Sequence, residues 1–463
     1  MNTANHLKKF IPYWICLFLF HFMIATSSFA IEPDSLPAFP GAEGYGAFTP
    51  GGRGGQVIFV TNLNDSGPGS LRAACRAKGP RIVIFLVSGL ITLDRPIEIY
   101  EPYLTLAGQT APGDGICLRG APLAVGTHDV VVRYIRSRLG DLKKHNWDCL
   151  TLARGAKNVI FDHCSATWSI DEAFSLAGKV SDATIQWCLI GEALNDSKHT
   201  KGPHGYGSLS RANGKVTFHH NLWAHNNSRN PRLGDDYGRP PYPTFDVRNN
   251  IMYDYGQTCS GLTQGVLKIN YVGNYIKPGP SSKAKTPITV GNNSKLQYFI
   301  EGNIFEGNER LTNDNTLFFN PPGDDNKRVI QIVPDPFEGP IVTTLPAKDA
   351  YEAVLATVGA SLPVRDSVDT RIVDHVRYGT GRIINSQNEV GGWPVYRSAE
   401  PPLDSDNDGI PDSWETTHGL NPQNPDDSGT DMNHDGYTNI EEYLNDLAFH
   451  AAQKVGAGVK KKN

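Results

Sequence analysis

Charged side chains of both signs are concentrated between residues 145 and 239. Acidic residues come first and basic residues follow, with histidines and two further acids among them: Asp148, Asp162, Asp171, Glu172, Lys198, His199, Lys201, His204, Arg229, Arg232, Asp235 and Asp236. Carboxylate oxygens are the ligands that a hard cation such as Ca²⁺ prefers. Guanidinium and ammonium groups bind carboxylates. The cluster therefore predicts a cation and a carboxylate-bearing ligand bound next to each other.

A second acidic cluster lies in the range 401–450, which contains twelve Asp and Glu residues and no Lys or Arg. Two segments that begin 27 residues apart match the EF-hand loop pattern D-x-[DN]-x-[DN]-G-x5-E. The candidate ligands are Asp404, Asp406, Asp408, Asp412 and Glu415 in the first loop, and Asp431, Asn433, Asp435, Asn439 and Glu442 in the second. We predict a small EF-hand-like module that binds calcium for stability or attachment, with no sensor function.

A repeated sequence motif must position the first cluster. In each repeat, alternating apolar residues are followed by a small, amide or apolar residue at an equivalent position. These equivalent residues are spaced by 29, 24, 33, 29, 24 and 29 positions, and they are Ile135, Cys164, Cys188, Asn221, Asn250, Asn274 and Asn303. Such a period predicts units that bury their apolar faces only by stacking. We predict an all-β chain folded as a parallel β-helix, with corner amides bonded to one another. A β-sandwich is the alternative.

The chain has 463 residues and a formal charge of −5, but 31–400 contains 37 basic and 36 acidic residues. No basic face for nucleic acid is expected.

Lys8 and Lys9, an apolar run and small residues at 28 and 30 predict a signal peptide, a secreted mature protein and no membrane span in it. Six cysteines remain after that segment, as free thiols or disulfides. The predicted divisions are 1–30 signal, 31–345 β-helix, 346–400 packing segment and linker, 401–446 calcium module and 447–463 disordered basic tail.

Four motifs carry a resemblance to a known family. They are the segments 39–46 (FPGAEGYG), 107–113 (AGQTAPG), 159–175 and 228–232 (SRNPR). In this order they resemble the pectate lyases of the family-1 polysaccharide lyase type, and most of all the pectate lyase C branch with its calcium-loop tail. The resemblance covers roughly 38–446. It implies a right-handed parallel β-helix, monomeric, that cleaves 1,4-linked α-galacturonan (pectate) by β-elimination with calcium.

Position by position, the resemblance assigns calcium to Asp148 and Asp171. The third aspartate of the pattern is Ser175 here, so Glu172, or substrate carboxylates and water, would complete the shell. Arg229 resembles the catalytic arginine, and Lys201 is the expected substrate-binding lysine. The second arginine of the pattern is Gly234 here, and Arg232 is the candidate to replace it.

Three functions remain open on the sequence alone. In a lyase, a base removes the proton at C5 of galacturonate, and cations stabilise the charge that develops beside it. Arginine serves as that base only if its environment favours a neutral fraction, and activity then rises at alkaline pH. A β-helical polygalacturonase would use paired aspartates, but the Asn-Thr-Asp motif of that family is absent. Asp235 and Asp236 follow His204 here, whereas in that family the Asp-Asp pair comes first. A calcium-stabilised adhesin would explain the tail loops but not the Arg229 motif.

Overall fold

A computed structural model describes residues 36–321 and 327–460. It is a parallel β-solenoid of about nine turns, in which three sheets run along the axis. Every strand pair in the described residues is parallel, and each strand pairs with its equivalents one coil before and one coil after. The predicted β-helix is confirmed, and the β-sandwich is not formed.

The strands of each sheet follow one another coil by coil. The first sheet contains Gln56–Val60, Arg81–Phe85, Leu104–Ala107, His128–Arg133, Lys157–Asp162, Ser181–Gln186, Lys215–His219, Thr244–Arg248, Val266–Val272, Lys295–Glu301 and Val329–Ile332. The second contains Gly89–Thr92, Ile116–Arg119, Arg136–Arg138, Ser165–Thr167, Leu189–Gly191, Leu222–Ala224, Ile251–Tyr253, Tyr275–Lys277 and Ile304–Phe305. The third contains Ile97–Ile99, Leu123–Val125, Leu150–Leu152, Phe174–Leu176, Leu209–Ala212 and Arg232–Asp235, and Ser260–Thr263 pairs with Ile288–Val290 beyond it.

Stacked apolar side chains fill the interior. Along the first sheet, one inward position is occupied on successive coils by fully buried residues: Val130, Val159, Ala183, Val216, Phe245 and Ile269. Each coil alone would leave this face in water, so burial requires the neighbouring coils. The stacking explains why the repeat is visible in the sequence.

An amide ladder occupies the corner between the first and second sheets. Asn221 donates its backbone N–H and its side-chain amide to Oδ1 of Asn250, at 2.9 and 3.0 Å. Asn250 donates in the same way to Asn274, and Asn274 to Asn303. Each side-chain amide also donates to a main-chain carbonyl, which for Asn250 is that of Phe218. The predicted bonding between corner amides is therefore confirmed.

Within the described residues, six α-helices accompany the solenoid: α1 Leu71–Arg76, α2 Glu309–Asn313, α3 Ala347–Thr357, α4 Ser367–Tyr378, α5 Asp412–His418 and α6 Asn439–Lys460. Apolar residues of α3 and α4 pack on the second sheet, and Ile410 and α6 pack on early strands of the first sheet. The helix α6 continues to Lys460, through residues for which a disordered tail was expected. Its sequence there contains alanine, leucine, glutamine and lysine, all strong helix formers.

A buried ion-pair network joins α4 to the solenoid. Arg138 donates to Asp366 and Asp369 at 2.9 Å, and Arg136 lies 3.4 Å from Asp366. Asp369 also accepts a hydrogen bond from the Ser165 hydroxyl. Burial opposes ionisation of Asp366, but Arg138 and Arg136 outweigh it and hold the pKa of Asp366 well below its ordinary value. The carboxylate is therefore charged in the folded state.

The six cysteines within the described residues are buried free thiols. The predicted signal segment lies outside those residues. Across 36–321 and 327–460, no helix combines the length and apolar character needed to cross a bilayer.

We expect Asn250→Ala to destabilise the corner ladder. The substitution leaves the Asn221 N–H and the Phe218 carbonyl without partners, and unsatisfied buried groups cost about 1–3 kcal/mol each. The free energy of unfolding, measured by urea denaturation, should fall by about 2–4 kcal/mol. The exposed Asn292→Ala is the control and should change it by less than about 0.5 kcal/mol. Equal small effects from both variants would contradict a supporting role for the ladder.

Asp366→Asn should destabilise the protein in a pH-dependent way. At pH 7 it leaves buried arginine charge undercompensated, at a cost of about 3 kcal/mol in urea denaturation. Because the pKa of Asp366 is depressed on folding, its stabilisation is present above the unfolded-state pKa and is lost as pH falls below about 4. The difference in free energy of unfolding between the variant and the native protein should therefore become smaller in acid. A gap independent of pH would show that the carboxylate charge is not responsible.

Candidate functional site

The candidate site lies along the outer face of the third sheet, at the turns that lead into its strands. Asp148 precedes Leu150–Leu152, Asp171 and Glu172 precede Phe174–Leu176, and Arg229 precedes Arg232–Asp235. Single parallel bridges join Glu172 to Tyr206 and Tyr206 to Ser228. Residues on successive coils are thereby held in step along the axis. The structure brings together Asp148, Asp171, Glu172 and Arg229, which the sequence separates by up to three coils.

Three carboxylates form the acidic half of the site. Ligand oxygens of Asp148, Asp171 and Glu172 all lie within 4.8 Å of one another, and the Glu172 N–H donates to Asp148 Oδ1 at 3.1 Å. Burial and the neighbouring Asp171 raise the pKa of Asp148 to about 8. Crowding of the three carboxylates disfavours the ionised form of Asp148 when no cation is bound. Carboxylate oxygens so close together fit a hard divalent cation.

The position of the missing third aspartate carries a hydroxyl. Ser175 pairs in register with Thr151 of the preceding coil, and the Thr151 hydroxyl donates to Asp148 Oδ2 at 3.4 Å. Glu172 is the third carboxylate of the cluster, as expected, but it also contacts the guanidinium of Arg229. Glu172 therefore stands between the acidic and the basic half of the site.

Two histidines of the charged cluster, to which the sequence analysis gave no individual role, lie next to Asp171. Nε2 of His199 lies 3.4 Å from Asp171 Oδ2, and Nε2 of His204 lies 3.3 Å from Oδ1. Nδ1 of His199 accepts the Lys201 N–H at 3.1 Å. Burial lowers the pKa of His204. The signal for both was their place in the longest insertion of the repeat.

Arg229 forms the centre of the basic half. Its backbone is in the left-handed region, with φ of 64°, which is uncommon for a residue with a side chain. Its guanidinium contacts Glu172 and lies 4.1 Å from the centroid of the Tyr206 ring. Burial, and then the charge of Arg232, lower the pKa of Arg229 to about 10. A neutral fraction of this guanidinium is therefore accessible at alkaline pH.

Arg232 and a second arginine, Arg211, continue the basic surface. Nη2 of Arg232 donates to Gln264 Oε1 at 2.6 Å. Arg211 pairs in register with Gly234, where a Cβ would lie 3.3 Å from Arg211 Nη1. The family pattern has an arginine at position 234, and here the side chain of Arg211 from the preceding coil lies next to that position. The linear order of residues does not reveal this contact.

The remaining predicted residues have different surroundings. Lys201 is exposed on the insertion that carries the two histidines. Asp235 accepts the N–H groups of Gly238 and Val266 at 2.9 and 3.0 Å, and Asp236 pairs with Arg239. Both aspartates are therefore engaged in structural bonds. This arrangement does not favour the polygalacturonase alternative.

The acidic loops near the C terminus gather most of their candidate ligands. Oxygens of Asp404, Asp406 and Asp408 lie within 4.8 Å of one another. Glu415 is fully buried, and burial followed by the charges of Asp406 and Asp408 raises its pKa to about 7. Unpartnered buried carboxylate oxygens at Asp406, Asp408 and Glu415, within the described residues, fit a hard cation.

In the second loop, and at the ninth position of both twelve-residue loops, the candidate ligands form hydrogen bonds within the protein. Asp431 accepts the His434 and Gly436 N–H groups at 2.7 and 2.9 Å. The Asn433 amide donates to Asp435 and Glu442 at 3.2 and 3.0 Å. The two side chains at the ninth position bond to their own loops, Asp412 to Ser405 and Asn439 to Met432.

Several curated proteins similar to this chain are named probable pectate lyase C. Probable pectate lyase C of Aspergillus flavus is 37% identical over 441 residues, 93% of this chain and 96% of that protein. Probable pectate lyase C of Aspergillus terreus is 37% identical over 423 residues, 89% of this chain and 94% of that protein.

No protein-family model matches the sequence. Among solved structures, the pectate lyase of Bacillus sp. N165 with trigalacturonate shares 15% identity at a TM-score of 0.47. That match covers 68% of this chain and 98% of the other. On the identity to its curated relatives, nearly end to end, this chain belongs to the pectate lyase C family and is a lyase acting on pectate.

Proposed function

We propose that the chain is a secreted, calcium-dependent lyase that cleaves 1,4-linked α-galacturonan by β-elimination and releases 4,5-unsaturated oligogalacturonides. The observation that carries this proposal is the contact of the Arg229 guanidinium with a cluster of three carboxylates. A base next to a cation site is the arrangement that abstraction of a proton beside a carboxylate requires. The names of the relatives support the substrate.

Asp148, Asp171 and Glu172 would hold the calcium. Bound calcium would neutralise the substrate carboxylate next to C5 and so favour loss of the C5 proton. The Nε2 atoms of His199 and His204 lie 3.4 and 3.3 Å from the two oxygens of Asp171. Glu172 contacts Arg229 and also belongs to the carboxylate cluster, so it would hold the calcium next to the guanidinium of Arg229.

Arg229 is proposed to take the C5 proton. The ordinary guanidinium is protonated at all physiological pH values, but burial and Arg232 bring its pKa to about 10. The neutral form can accept the C5 proton. The electron pair left at C5 then forms the 4,5 double bond as the C4–O bond breaks, and the leaving oxygen takes a proton from water. Arg232 and Lys201 are proposed to bind carboxylates of the polymer, since Arg232 lies near Arg229 and Lys201 is exposed on the adjoining insertion.

Export and the calcium loops are also part of the proposal. Lys8, Lys9 and the apolar run after them support secretion. The clustered carboxylates of the first loop support a cation there, and the packing of Ile410 and α6 on the first sheet supports a stabilising role. We infer that the enzyme acts as a monomer.

Arg229→Ala should abolish most of the activity. Removing the base is expected to lower kcat by about 10²–10⁴-fold, which is the usual contribution of proton transfer. The rate is measured as ultraviolet absorbance of the unsaturated product on polygalacturonate. In the native enzyme kcat/KM should rise with pH, by roughly tenfold per unit below the pKa of about 10, because the neutral fraction of Arg229 grows.

The exposed Arg310→Ala is the matched control and should keep native kinetics. New reducing ends without ultraviolet absorbance would indicate a hydrolase instead. Absence of both signals would favour a binding protein.

Calcium removal should stop the reaction. We expect a chelator to abolish product absorbance and added calcium to restore it, because the three carboxylates repel one another and the substrate without a cation. Asp171→Asn should raise the calcium concentration for half-maximal rate by about tenfold or more, since ligand charge sets affinity. Asp335→Asn removes an exposed acid elsewhere and should leave this concentration unchanged. Full activity in chelator would contradict a calcium-dependent site.

A further inference from the structure

Asp427 lies outside both calcium loops in the sequence, in the connection between them. Ligand oxygens of Asp427, Asp408 and Glu415 nevertheless all lie within 4.8 Å of one another. Asp427 thus reaches the last ligand position of the first loop from outside that loop.

The oxygens of this group lack donors. Glu415 is 0% exposed, and neither of its carboxylate oxygens has a hydrogen-bond partner among the described residues. The same holds for Oδ2 of Asp408, which is 4% exposed, and for Oδ1 of Asp427. Buried carboxylates are normally paired with donors or cations, because desolvation of an unpaired charge is costly. The grouping of these three carboxylates, which together carry four unpartnered oxygens, therefore indicates a cation.

Asp427 is itself held firmly. Its Oδ2 accepts the Asn421 N–H at 3.2 Å. Its backbone carbonyl accepts the side-chain amide of Asn439 and the hydroxyl of Thr430, both at 2.8 Å. Asn439 belongs to the second loop, so the second loop positions a residue that faces the first.

We infer that Asp427 is a ligand of the cation held by the first loop, supplied from outside the twelve-residue loop and positioned by Asn439 of the second. The donor set consists of carboxylate oxygens, and the ligand class is a hard divalent cation, which outside the cell is calcium. This inference rests on the proposed calcium binding by the first loop. It adds a side chain that the loop pattern does not contain.

The test counts calcium ions bound by the full chain, by equilibrium dialysis with radiolabelled calcium across a range of free concentrations. Glu415→Gln removes a ligand of the first loop and should lose one equivalent at a concentration that saturates the native protein. Asp427→Asn should lose the same equivalent and regain it only at about tenfold higher calcium or more, because it removes one ligand charge. The matched control is Asp426→Asn, an exposed neighbour with the same chemistry, which should bind as the native protein does.

A second measurement separates a ligand from a structural residue. Asp427→Asn keeps the backbone carbonyl contacts and removes a charge facing Asp408 and Glu415. In chelator its unfolding temperature should therefore equal or exceed the native value, and in calcium it should fall below it. A lower unfolding temperature in chelator as well would overturn the inference in favour of a structural role.

The two proposals fail in distinguishable ways. If Glu415→Gln loses an equivalent and Asp427→Asn binds as the native protein does, Asp427 is no ligand and the loop assignment stands. If Glu415→Gln also binds as the native protein does, calcium binding by the first loop is wrong and the role of Asp427 falls with it.

Discussion

In-register stacking of parallel coils is the constraint on which the rest of the molecule depends. Each coil buries its apolar residues only against its neighbours, and the corner amides tie one coil to the next. Because the coils stay in step, a residue on one coil lies directly above its equivalent on the next. Side chains separated by 24 to 33 residues in the sequence become neighbours along the axis.

The site uses this regularity and departs from it locally. Regular strands bring the carboxylates and the arginines to the same outer face, whereas irregular turns aim them. The left-handed backbone at Arg229 and the insertion that carries His199 and His204 are such departures. Irregular conformations of this kind are retained where the surrounding structure holds them in place. The rigid solenoid supplies that support, and the turns supply the chemistry.

Two appended parts are joined to the solenoid by different physical means. The helix α4 is attached by apolar packing and by the buried ion pairs of Arg138, whose charges are compensated within the protein. The acidic C-terminal segment packs Ile410 and Tyr443 on the first sheet and pairs Glu441 with Arg53, but Asp408 and Glu415 carry buried oxygens without partners among the described residues. The charges between α4 and the solenoid are therefore compensated by the chain itself. The acidic C-terminal segment is expected to need bound cations.

The sequence by itself determined the architecture and the main residues of the site. A repeat of stacked units has one dominant way to bury its apolar face, so the period and the corner amides were sufficient to predict a parallel β-helix. The separate motifs were sufficient to select Asp148, Asp171, Glu172 and Arg229. The helix α6 occupies residues 447–460, which lie in the range where a disordered tail was predicted.

The tertiary structure alone decided which side chains meet across coils and loops. Arg211 reaches the position of Gly234 from the preceding coil, the two histidines face Asp171, and Asp427 reaches the first calcium loop. These contacts depend on the path of insertions and on side-chain direction, which have no period. The linear order of residues encodes the stacking through repetition, but it does not state where a single irregular loop brings its side chains.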